Sequence, residues 1–111
     1  MNLSETPKTT KKLSELIAIG SKRWNQVFND WGNDFSACAL ESALRIIEPK
    51  DYQGYRNSRT ISILVGIDPK LTLSCPICHN EYEICSLVMH LNDQERWLSA
   101  RITDFLAKNG Y

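Results

Sequence analysis

Leu73 to Trp97 reads LSCPICHNEYEICSLVMHLNDQERW and holds three of the four cysteines and both histidines of the 111-residue chain. Its spacing decides how this part of the chain folds. Cys75-Pro76-Ile77-Cys78 puts two sulfurs on one tight turn, and His90 follows Cys78 after eleven residues. A zinc ion takes four donors at tetrahedral corners, and a Cys-x-x-Cys turn supplies two of them without strain. Cys75, Cys78 and His90 are therefore three expected zinc ligands. For the fourth, Glu95 stands five residues after His90 and brings a carboxylate oxygen, an accepted zinc donor. Cys85 is the second choice, a softer donor placed five residues before His90, a poor spacing for one helical face. Cys38 comes third, and water completes the alternatives. The plainer reading is a metal-free or redox-active cysteine pair.

The apolar residues between the ligands carry a local resemblance. Leu73 lies two before Cys75, Tyr82 four after Cys78 and Leu87 three before His90. This resembles the small core of a ββα Cys2His2 zinc finger, in which a hairpin packs on the helix that carries histidine. The likeness implies a zinc-finger-like unit, knuckle and helix, over 71–97. At the finger's base-reading positions the chain has Glu83, Ser86 and Met89, an acid, a hydroxyl and a thioether. Base readout prefers Arg, Lys, Asn or Gln, so sequence-specific DNA reading by this helix is not expected.

Outside this stretch the pattern is helical. Thr10 can cap a helix with Leu13, Leu16 and Ile17 on one face and Gly20 as its terminator. Ser21 opens a predicted second helix with Trp24, Val27, Phe28 and Trp31 at helical spacing, ended by Gly32. The two tryptophans could form a ligand cage, but core packing is the expectation for aromatics in a small domain. Ser36 reads as the cap of a third helix that buries Ala37, Leu40, Leu44 and Ile47 and stops at Pro49. Cys38 falls in its first turn, where a helix dipole favours thiolate, yet no partner for nucleophilic catalysis is readable and core packing is expected. Asp51 to Arg59 reads as a loop, Thr60 to Val65 as a helix, and Asp68-Pro69 as a turn. Ile84 to Leu91 should be helical, Asn92 should cap a new helix with Glu95 at its third position, and the last helix should bury Trp97, Leu98, Ile102, Phe105 and Leu106.

Residues 1–9 are expected to be a flexible lead-in, and 10–111 one domain, mainly α, with the zinc-finger-like ββα segment as an insertion near its C-terminus. Thirteen basic and thirteen acidic residues cancel, so no global field draws nucleic acid or membrane. The start is polar and lysine-rich rather than signal-like, and no apolar run approaches spanning length, which points to a reducing, cytoplasmic setting.

A wider resemblance covers nearly the whole chain. Leu13-Ser14-Glu15-Leu16-Ile17 with Gly20, Cys38-Ala39-Leu40, Cys75 to Cys78, and His90 to Asp93 with Trp97 and Ile102 to Phe105 look like marks of a family of small bacterial and phage or prophage proteins. That pattern often has histidine where this chain has Glu95, and glycine where it has Glu41. The resemblance implies a mobile-element origin and a zinc site, and brings no activity to carry over.

The function expected is thus a small module that binds another protein, a host or phage factor, with structural Zn2+ held by Cys75, Cys78, His90 and Glu95. No enzymatic activity is expected. A nucleic-acid-associated regulator, using Lys8, Lys11, Lys12, Lys22 and Arg23, is the alternative, and a zinc-dependent hydrolase the third reading.

Overall fold

Helix α4, Ile84–Asp93, sits at the centre because its sequence leaves it no dry-side polar residue except one: Ile84, Cys85, Leu87, Val88, Leu91 and Asn92 are all buried. The computed structural model describes residues 9–47 and 58–111. Around α4 pack α2, Ala39–Ile47, α3, Ser58–Leu64, and α5, Ser99–Lys108, while α1, Leu13–Ser21, lies on α2 and α5. The core gathers Leu13, Leu16 and Ile17 of α1, Leu40 and Leu44 of α2, Ile61 and Leu64 of α3, Leu87 and Leu91 of α4, and Ile102 and Leu106 of α5. Each such side chain contributes about 1.5–3 kcal/mol by leaving water.

Two small sheets complete the described residues. β1, Asn25–Gln26, runs parallel to β3, Ser36–Ala37, whose other edge pairs antiparallel with β2, Gly32–Asn33. β4, Thr72–Ser74, and β5, Glu81–Glu83, form an antiparallel hairpin with Leu73 opposite Tyr82. The expected class, mainly α with a ββα insertion at 71–97, is corrected on both counts. Five helices share the described residues with two sheets, giving a mixed α/β fold. The segment is no insertion either, since α4 is the element on which α2, α3 and α5 converge.

The largest local correction falls on 24–31. The helical spacing of Trp24, Val27, Phe28 and Trp31 is not used, because the backbone pairs across to β3 instead: Asn25 N–H donates to the Phe35 carbonyl and Val27 N–H to that of Ala37, at 3.0 and 3.2 Å. Asn29 (φ 58°) and Gly32 (φ 117°) take left-handed conformations that no helix accommodates. A Cβ on Gly32 would come within 2.1 Å of the Ser36 carbonyl oxygen, so this turn requires glycine. The aromatics disperse accordingly. Trp24 lies under the Arg45 guanidinium, Phe28 under that of Arg96, and Trp31 packs half-buried against the core.

Other boundaries move for identifiable reasons. Gly20 does not end α1, which continues to Ser21; it lies against the backbone of α2, where a Cβ would stand 2.6 Å from the Ser42 carbonyl oxygen. Lys12, not Thr10, precedes α1, with its N–H bonded to the Glu15 carboxylate at 3.2 Å. Ser36 belongs to β3 and caps nothing; Cys38 stands before α2, its sulfur accepting the Glu41 N–H at 3.4 Å. Leu98, expected in the core, is 67 % exposed, and Trp97 is buried ahead of α5 rather than on it. The helix read over Thr60 to Val65 is α3. The lead-in up to Lys8, the stop at Pro49 and most of the 51–59 loop lie outside the described residues.

Candidate metal centre

The knuckle is built by backbone hydrogen bonds. Cys75 N–H donates to the Asn80 carbonyl at 2.8 Å and His79 N–H to the Cys75 carbonyl at 2.9 Å, closing a turn that His79 completes at φ 67°. Inside it the Cys75 sulfur faces the N–H groups of Ile77 and Cys78 at 3.4 and 3.5 Å. Two backbone donors are thus aimed at one sulfur, which fixes its place inside the turn. Cys75 is fully buried, whereas Cys78 is exposed at the rim.

Opposite the knuckle, α4 presents His90. Its ring stacks on Tyr82 of β5 with centroids 4.7 Å apart, so the Leu73–Tyr82 pairing of the hairpin also fixes the imidazole plane. The Tyr82 hydroxyl and His90 Nε2 each lie 3.6 Å from the Cys78 sulfur. The Asn80 backbone N–H, and after it the Tyr82 hydroxyl, hold the Cys78 thiol below its ordinary value; the same contact pushes the Tyr82 hydroxyl up.

Glu95 enters from beyond the end of α4. The chain turns there with Gln94 and Glu95 N–H groups both bonded to the His90 carbonyl, and Arg96 at φ 55° sends it away again. Its Oε2 lies 2.9 Å from His90 Nε2 and 3.9 Å from the Cys75 sulfur. The donor atoms of Cys75, Cys78, His90 and Glu95 all lie within 4.8 Å of one another, a set able to hold a metal ion. Around a tetrahedral zinc with ordinary bond lengths, donor atoms stand about 3.3–3.8 Å apart. The cluster's edges bracket that range, and the donor set of two sulfurs, one nitrogen and one oxygen suits the ion.

The rival fourth donors lie elsewhere. Cys85 is buried in the core, its thiol pushed up to about 11 by burial, partly countered by the Ser62 hydroxyl. Cys38 is pushed up to about 12, again by burial first, with the Glu41 N–H opposing. Both are core thiols, and all four cysteines are unpaired. Asn92 does not cap a helix with Glu95; it lies within α4, so the carboxylate is free of that competing demand.

What the sequence reading missed is the role of Asn92 itself. Its Oδ1 accepts from Gln26 Nε2 at 2.8 Å and from Ala39 N–H at 3.0 Å, while its Nδ2 donates to the Val27 carbonyl and to Asp93 Oδ1. Gln26 in turn binds the Trp97 carbonyl and the Ser99 N–H. One amide pair, Asn92 buried and Gln26 half-buried, thus satisfies the starts of α2 and α5 and ties β1 to the segment between His90 and Trp97. Beside it, Asn29, Asp30, Trp31, Cys38, Met89 and Asp93 line an open cavity of about 310 Å³.

No known family, curated protein or solved structure matches this chain. The mobile-element likeness therefore rests on its motifs alone. Among the described residues no helix is long and apolar enough to cross a membrane.

Proposed function

We propose that the chain is a small protein-binding module of phage or mobile-element type, stabilised by a structural Zn2+ on Cys75, Cys78, His90 and Glu95. The observation that carries the metal is the convergence of four donors from three separate places, the knuckle, the last turn of α4 and the turn after it. Four protein donors close a tetrahedral shell, and a closed shell supports a structural ion over a hydrolytic one. A module without enzymatic activity is the reading consistent with that closure. Binding to a protein draws support from the surface: Phe35, Leu71, Ile77 and Leu98 are large apolar residues left exposed, and the balanced charge favours no polyanion.

The nucleic-acid alternative gains little. Glu83 accepts the Ser58 hydroxyl and Met89 lines the cavity, while α4 is packed on three helices and presents no free face to a groove. Capture experiments from the native host separate the two. Recovery of one protein partner that withstands raised salt supports the proposal; retention on mixed DNA or RNA with a steep loss on raising salt supports the alternative and overturns it.

A further inference from the structure

The four donors are not held alike. Cys75 is buried and anchored through its backbone and sulfur, Cys78 sits on the same turn against Tyr82, and His90 is fixed within α4 by stacking. Glu95 alone lies past the helix end, outside both the knuckle and α4, and its carboxylate faces the cluster through His90 and Cys75. It is also the hardest donor of the set, and zinc prefers sulfur among anionic ligands.

We infer that Glu95 is the exchangeable ligand of this centre and that a thiolate from another molecule takes its place. This rests on the metal reading above. Exchange of carboxylate for thiolate leaves the formal charge of the centre unchanged, whereas a neutral imidazole would alter it. A zinc–sulfur bond forms as the zinc–oxygen bond breaks, the thiol proton passes to solvent, and nothing is oxidised or reduced. The incoming sulfur cannot be the chain's own or a second copy's spare thiol, because Cys38 and Cys85 are buried. Ile77, next to Cys78 in the chain, is 48 % exposed and Leu98, three residues past Glu95, is 67 % exposed, so apolar side chains close in sequence to two of the donors are available to whatever carries the thiol.

The test is titration of the cobalt(II)-substituted full chain with 2-mercaptoethanol and with a peptide carrying one cysteine between apolar residues. Going from two thiolates to three should raise the near-ultraviolet sulfur-to-cobalt absorbance roughly 1.5-fold. Half-saturation by the peptide at a lower concentration than by 2-mercaptoethanol assigns the thiol to a partner protein; equal concentrations assign it to small thiols. Glu95→Ala should respond at less thiol, and Glu95→Cys, already holding three sulfurs, should not respond. Unchanged absorbance in the cobalt-loaded chain of native sequence, or loss of the cobalt bands as thiol is added, overturns the exchange while leaving the metal. Absence of thiolate–cobalt bands before any thiol is added overturns the metal reading, and this inference with it.

Discussion

Glu95 and Asn92 stand three residues apart and do opposite things. Glu95 reaches out to the cluster, and its removal should weaken zinc binding. Loss of a partner that merely orients a ligand costs 10- to 100-fold in affinity in general, so Glu95→Ala should cost at least about tenfold, measured by competition with a chromophoric chelator. Unaltered affinity would remove Glu95 from the ligand set. Asn92 reaches inward. Asn92→Ala takes from the Ala39 N–H and the Val27 carbonyl the side-chain partner each has, and at about 1–3 kcal/mol for each unsatisfied buried group it should destabilise the fold by roughly 3 kcal/mol in denaturant. A change under about 0.5 kcal/mol, the ordinary size for a surface substitution, would mean that the amide pair is not a structural centre.

The buried thiols set a pH dependence of known sign. Cys38 and Cys85 are raised from 9.0 to about 12 and about 11, so the native state keeps protons that the unfolded chain gives up. Stability linked to them is fully present below pH about 9 and is lost as pH climbs through 9 to 12. The denaturation midpoint should fall across that window, and Cys38→Ala with Cys85→Ala should flatten the fall. An equally steep fall in the double variant would place its cause elsewhere.

At the scale of elements, the contact between α1 and α2 makes the sharpest prediction. Alanine favours a helix over glycine by up to about 1 kcal/mol. At position 20 the added methyl would meet backbone at 2.6 Å, and overpacking of that kind costs about 1–3 kcal/mol. Gly20→Ala should therefore destabilise, despite propensity, by about 1 kcal/mol net; a rise in melting temperature would show that the two helices part without cost. The same scale separates what was legible from what was not. The Cys75–Cys78 turn, His90 on a helix and Glu95 in reach of both could be read because they depend on short spacings within one stretch. The core stripes Leu13, Leu16, Ile17 and Leu40, Leu44 were readable by the same local periodicity. β1 was not, because strands of two residues carry no alternation, and each of its residues pairs with one eleven positions away, in Ser36–Ala37, across turns at Asn29 and Gly32. Asn92 was misread as a cap for its own neighbours because it caps α2, a helix over fifty residues earlier.

For the molecule as a whole, the centre joins the β4–β5 hairpin, α4 and the turn leading to Trp97, and α4 is the element every other core helix but α1 leans on directly. An ion held there would stabilise more than a knuckle. Binding to the folded chain alone adds about 4 kcal/mol at a thousandfold excess of free zinc over the dissociation constant. Chelation should accordingly lower the melting temperature of the entire cooperative transition, with far-ultraviolet circular dichroism as the readout; a transition that keeps its midpoint would confine the ion's effect to the rim.

The most direct measurement is the native mass of the protein purified from cells supplied with ordinary trace metals. One zinc per chain is predicted, lost in the variant carrying Cys75→Ser and Cys78→Ser. A native mass equal to that of the bare polypeptide would contradict the account.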